Sequence, residues 1–249
     1  MKTCPNCGQN VEDSATTCSN CNYSFAGTFS TVSGDTYFDG KGLEYFGIWI
    51  VNVLLIMVTC GIAMPWVICR NLKWKYSHTI LNGRRLMFTG TGGQLFLKYL
   101  LWALLTTITF GIYGIWMAIE LEKWEIAHVC YADALGAPNQ EFANSFYDGK
   151  PFERFGYSLL CGLIAAVSFG IAFPWGEKFL LDYDLKHTVV MGNRLGYTGT
   201  GGGLFGIYIL VYLLNYVTCS IFTPWGTCMI NNYVIGHYVI TDPAASYTS

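Results

Sequence analysis

The chain has 249 residues, 53% of them hydrophobic, 16% aromatic and only 12% charged, where an ordinary soluble domain carries about 25% charged residues. A net charge of −2, a pI near 6.1 and a mean hydropathy of +0.37 exclude a basic nucleic-acid binder and a disordered chain, and argue against a soluble globular enzyme. They point to a membrane protein.

Residues 1–37 are polar and hold no hydrophobic run, so no cleavable signal is expected and the segment should persist in the mature protein. Cys4 and Cys7, then Cys18 and Cys21, form two Cys-x2-Cys knuckles ten residues apart. Four thiolates at this spacing suit tetrahedral zinc, with no position left open for catalysis. Two disulfides are the alternative, and they would require an oxidising compartment. A segment of about 25 residues cannot fold on its own core, so the metal would supply the folding free energy. Residues 4–25 resemble the short zinc ribbons that precede membrane domains in many prokaryotic proteins, which implies a structural zinc and a binding or regulatory module. The ribbon is assigned to 1–26 and a linker to 27–37.

Four stretches further on lack Asp, Glu, Lys and Arg: 45–69, 99–119, 155–176 and 195–241. A bilayer core needs roughly 20 apolar residues in helical form, and only helices satisfy their backbone in lipid at this length. Each stretch predicts one crossing. The expected fold is an all-α membrane protein of four transmembrane helices from a duplicated inverted pair, with short β-hairpins at one face and the small N-terminal zinc ribbon. Membrane repeat 1 spans 38–133, with helices at about 45–69 and 96–119. A linker covers 134–146. Membrane repeat 2 spans 147–242, with helices at about 155–176 and 204–230, and a tail covers 243–249.

The two repeats align without a gap at an offset of 109 residues, and each divides again. An aromatic stands two residues before Gly (Phe38, Phe88, Tyr147, Tyr197). At fixed spacing follow Phe (46, 96, 155, 205), Thr or Ser (59, 109, 168, 218), Trp (66, 116, 175, 225), a second large aromatic (74, 124, 183, 233) and His (78, 128, 187, 237). These are the only four histidines. If each unit crosses once, neighbouring units run in opposite directions, the nested symmetry of many transporter folds.

Pro65, Pro174 and Pro224 read as kinks where a crossing becomes an interfacial helix; unit 2 has Ile115 instead. Symmetry would pair His78 with His187 and His128 with His237, giving a possible metal or haem site on each side. The plainer reading is a histidine bonded to nearby backbone and stacked on its aromatic. Asn82-Gly83 predicts a tight hairpin within 78–88, with a counterpart through Gly192-Asn193. Thr89-Gly90-Thr91-Gly92-Gly93 reads as a turn before a helix. No ionisable residue falls within a crossing, although coupled transporters usually need one. Asn52 and the threonines remain for interhelical bonds, and Cys60, Cys69, Cys130, Cys161, Cys219 and Cys228 read as packing residues. No nucleophile–base pair, carboxylate pair or His-Glu motif appears, so a non-enzyme is expected.

The string Phe38-x-Gly40 … Glu44-Tyr45-Phe46 … Asn52 … Thr59-x-Gly61-Ile62-x2-Pro65-Trp66 … Arg70 … Gly83 … Phe88-Thr89-Gly90-Thr91 resembles the YjgN-like family of uncharacterised bacterial inner-membrane proteins. The likeness spans 38–133 and, more weakly, 147–242. Ser220 departs from it where the other units have glycine. It implies an inner-membrane location and carries no catalytic residue. The positive-inside rule favours a cytoplasmic face for the side with Arg70, Lys75, Arg84 and Arg85. Reduced thiolates favour a cytoplasmic amino terminus, and that second argument is preferred, with the carboxyl terminus on the same side. The expected role is a scaffold or sensor, its ribbon recruiting a protein partner and its helices contacting lipid. A permeation pathway and a haem or metal carrier are the alternatives; no nucleic-acid partner is expected, and the oligomeric state is open.

Overall fold

The computed structural model describes residues 2–3, 10–11, 35–134 and 145–242. The chain divides into two compact units, 1–31 and 32–249. In the first, β1 (Lys2–Thr3) pairs antiparallel with β2 (Asn10–Val11), Lys2 opposite Val11. Cys4, Cys7, Cys18 and Cys21 lie outside the described residues.

The second unit runs β3 (Tyr37–Phe38), α1 (Gly42–Val58), α2 (Met64–Ser77), β4 (Thr79–Leu81), β5 (Arg84–Phe88), α3 (Gly92–Ile108), α4 (Gly114–Ala127) and β6 (Val129–Tyr131). It continues with β7 (Phe146–Tyr147), α5 (Pro151–Val167), α6 (Phe173–Lys186), β8 (Thr188–Val190), β9 (Asn193–Tyr197), α7 (Gly201–Val217), α8 (Thr223–Gly236) and β10 (Tyr238–Asp242). Strands β3-β4-β5-β6 form one four-stranded antiparallel sheet, and β7-β8-β9-β10 form another.

This corrects the expected four-helix, all-α membrane fold. There are eight helices among the described residues, alternately 17 and 14 residues long. At 1.5 Å per residue they reach about 25 and 21 Å, short of a hydrocarbon core of about 30 Å. No helix of the described residues is long and apolar enough to cross a membrane.

The reason is a turn hidden inside each uncharged run. Cys60, Phe110, Phe169 and Cys219 adopt left-handed φ of 49–52°, and Gly61, Gly111, Gly170 and Ser220 follow at 87°, 92°, 85° and 68°. The second of these residues donates its amide to a carbonyl five residues back: Gly61 to Ile56, Gly111 to Thr106, Gly170 to Ala165, Ser220 to Asn215. That bond ends the first helix in a Schellman turn. The template hydroxyl then serves both helices. Thr59, Thr109, Ser168 and Thr218 each donate to the carbonyl four residues back and accept from the amide four residues ahead. Pro65, Pro174 and Pro224 stand at the second position of α2, α6 and α8, where a missing N–H costs nothing. They start new helices and do not kink old ones.

Each helix pair is therefore a hairpin. Buried Asn52 of α1 donates to Asn71 of α2 at 2.7 Å, and Tyr45 stacks on Trp74 at 4.4 Å. The ends of each hairpin return together, so the inverted-pair reading falls with the crossings, as does the argument that four crossings place both termini on one side. The amide after each strand aromatic donates to the histidine carbonyl that ends the hairpin: Asp39 to His78, Thr89 to His128, Asp148 to His187, Thr198 to His237, all at 2.9–3.0 Å. The hairpin expected at Asn82-Gly83 is present, with φ of 53° and 75°, but inside a larger sheet. In the second sheet the turn falls one residue earlier, on Met191-Gly192.

The helices close into a ring: each packs on the next in sequence, and α8 packs back on α1. The template tryptophans seat the joints. Trp66 lies 5.2 Å from Phe96, Trp116 5.4 Å from Phe152, Trp175 4.9 Å from Phe205 and Trp225 5.3 Å from Phe46. Gly92 and Gly201 make room, since a Cβ at either would stand 2.5 Å from the indole of Trp66 or Trp175; Gly42 does the same against Trp225.

Candidate functional site

Inside the ring, α2, α4, α6 and α8 converge with the sheet strands on a cavity of about 130 Å³. Its wall carries Lys75 and Tyr76 from α2, Glu122 and Glu125 from α4, Asp184 from α6 and Tyr238 from β10. Arg154, at the start of α5, reaches in beside them.

The charges are partly paired. Arg154 grips Asp184 in a fork, Nε to Oδ1 at 2.7 Å and Nη2 to Oδ2 at 2.9 Å, and Tyr147 of β7 donates to the same Oδ1 at 2.7 Å. Bidentate pairs of this kind are the strong ones. Tyr76 donates to Glu125 Oε1 at 2.7 Å, and Lys75 Nζ stands 3.8 Å from that oxygen. Glu122 has the weakest partner, Arg154 Nη2 at 3.8 Å. Lys75 and Glu122 keep 35% and 28% of their side-chain surface accessible, and both line the cavity.

These surroundings shift the acids and bases. Burial, then the Glu125 and Asp184 carboxylates, push Glu122 up to about 7, against the opposing pull of Arg154 and Lys75. Burial is the largest single influence on Lys75 and works to lower it, but Glu125, Tyr238 and Glu122 together outweigh it and the ammonium is held above its ordinary value. Burial and the Glu125 carboxylate hold Tyr76 well above its ordinary value, and burial with Asp184 does the same for Tyr147.

This site was missed in the sequence because its charges lie just outside the uncharged runs. A signal was present all the same. The template position three residues before each histidine holds Lys75, Glu125, Asp184 and Val234, so three aligned positions of a repeated unit carry a charge. Read as single crossings, those positions belong outside the membrane. Folded as hairpins, they meet in the middle.

The histidines stay in their own units. His78, His128, His187 and His237 cap the second helix of each hairpin. Each Nδ1 lies 2.7–2.8 Å from the carbonyl four residues back, which can only accept, so Nδ1 carries the proton. Each ring lies 4.2–4.9 Å from the template aromatic, Trp74, Trp124, Tyr183 or Tyr233. His78 Nε2 also stands 3.5 Å from Glu44. No group of three or more His, Cys, Asp or Glu among the described residues is placed to hold a metal ion. Cys69, Cys130, Cys161 and Cys228 are buried, and Cys60 and Cys219 are exposed at hairpin turns. The Thr-Gly-Thr-Gly-Gly run is a helix cap: Thr91 and Gln94 form a reciprocal capping box on α3, and Thr200 accepts from the Gly203 amide on α7.

Comparison with known proteins supports the resemblance drawn from the motifs. Residues 34–103 match a family described as bacterial protein of unknown function (DUF898), and residues 1–25 match the zinc-ribbon domain. Over 58 residues the chain is 40% identical to inner membrane protein YjgN of Escherichia coli (strain K12), and equally to that of Salmonella typhimurium (strain LT2). The aligned stretch is 23% of this chain, and the chain spans about 15% of the length of these curated relatives. No solved structure matches.

Proposed function

We propose that this chain is a non-enzymatic protein of the inner membrane, acting as a scaffold or sensor whose zinc ribbon recruits a protein partner. The observation that carries the membrane reading is the surface of the four hairpins. The turn residues Phe110 and Phe169 are 97% and 96% exposed, and Val58 and Val167 are each 82% exposed. Leu100, Leu104, Leu159, Leu163 and Leu213 add to an apolar surface that runs along the leading helix of each hairpin, where Lys98 of α3 is the one charge beyond a first turn. Such a surface is costly in water and is an attachment site for lipid. The relatives' name, inner membrane protein, agrees with it. On this reading the hairpins dip their turns into the bilayer without any single helix crossing it.

The ribbon reading rests on the donor set: Cys4, Cys7, Cys18 and Cys21 would hold one zinc as four thiolates, a closed and structural site. Two measurements test the proposal. Phe110→Glu with Phe169→Glu should move the protein from the membrane pellet to the alkaline-carbonate wash; firm retention overturns the hairpin reading. Metal analysis of the purified chain should find one zinc per chain; two disulfides among these cysteines in mass spectrometry would overturn the ribbon.

A further inference from the structure

We propose that the central cavity is a proton-binding site in which Glu122 takes up and releases the proton. The inference stands apart from the scaffold reading. It begins with a count of charge. Two cations, Lys75 and Arg154, meet three carboxylates, Glu122, Glu125 and Asp184, around one small enclosed space. Fully ionised, the cluster holds one uncompensated negative charge, which a low-dielectric interior tolerates poorly.

Geometry selects the carboxylate that yields. Asp184 has the Arg154 fork and the Tyr147 hydroxyl. Glu125 has the Tyr76 hydroxyl and Lys75. Glu122 has one guanidinium nitrogen at 3.8 Å, on an arginine already committed to Asp184. The groups that face it are Glu125 on its own helix, Lys75 and Tyr76 from α2, Arg154 from α5, Asp184 from α6, Tyr147 from β7 and Tyr238 from β10. None of the tyrosines ionises near neutral pH, so the proton balance rests on the carboxylates. Burial among like charges places the Glu122 transition near neutrality, at about 7.

Proton loss has a structural consequence. It puts a second full anion beside Arg154, which then divides its guanidinium between Asp184 on α6 and Glu122 on α4. Because Arg154 belongs to α5, the protonation of Glu122 sets how three helices of the ring hold together.

The sign follows from linkage. The folded chain keeps the proton between the ordinary glutamate value of 4.5 and about 7, where the unfolded chain has released it, so stability falls as pH rises through that window. The experiment is thermal unfolding of the purified full chain in detergent from pH 4 to 9, comparing wild type with Glu122→Gln, together with infrared spectra of the carboxyl region. Wild type should lose stability across the window relative to Glu122→Gln. The variant should unfold several degrees higher than wild type at pH 8, and the two should converge below pH 4.5. A protonated-carboxyl band should be present in wild type at pH 6, gone at pH 8 and missing from the variant. An unchanged pH profile in Glu122→Gln overturns the proposal, as does wild-type protein without that band at pH 6, a result that does not depend on the variant folding. Stabilisation of wild type at pH 8 by sodium over choline, abolished in Glu122→Gln, would also overturn it by making a metal cation the balancing charge.

Discussion

The two helices of each hairpin obey opposite rules. The leading helices, α1, α3, α5 and α7, carry large apolar side chains on the outside, and Asn52 is the one buried residue of α1. The returning helices, α2, α4 and α6, turn Lys75, Glu122, Glu125 and Asp184 inward. A water-soluble ring would reverse this, because charge belongs in solvent and leucine in the core. The difference teaches that the leading helices answer to the surroundings and the returning helices to one another. Tight turns let one uncharged run begin the first kind of helix and start the second.

If that division is right, substitutions should differ in effect according to whether they meet the inward cluster, a ring joint or the outer surface. The largest effect is expected at the inward cluster. Arg154→Met leaves the part-buried Asp184 without its fork and should cost about 3 kcal/mol, read as a fall in unfolding temperature in detergent. Next comes the ring joint. Gly42→Val pushes a branched side chain into Trp225 and should cost about 1–3 kcal/mol by overpacking, with Trp fluorescence reporting the shifted indole. Thr91→Ala removes one half of the capping box on α3 and should cost about 1 kcal/mol. Smallest is Leu104→Ser on the outer surface, which should change stability in detergent by about 0.5 kcal/mol or less while weakening membrane retention. If Leu104→Ser unfolded the protein as fully as Arg154→Met, the outer surface and the inward cluster would not be distinct environments.

Much of the local structure could be read in advance. The spacing from Thr59 to His78, repeated at Thr109, Ser168 and Thr218, marks the hydroxyls that join two helices and the histidines that end them. Asn82-Gly83 specifies its turn by backbone preference alone. The hairpins themselves were hidden, because a helix, a five-residue turn and half of another helix have the same composition as one crossing. Thr59-x-Gly61 followed by Pro65 separates the two cases: glycine tolerates the left-handed turn and proline opens the next helix. The central cluster needed the fold. Lys75, Glu125 and Asp184 are far apart in sequence, and only ring closure makes them neighbours.

The joint between Trp225 and Gly42 bears on how the chain folds. Every other joint links helices adjacent in sequence and can form as the chain emerges. This one spans nearly the whole hairpin assembly, so α1 waits for α8, and the slow, long-range step comes last. Until then the newly made hairpins are an open arc with unsealed ends. A chain cut short before residue 225 would keep that arc open, and the first hairpin would be free to pair with a neighbouring molecule's last.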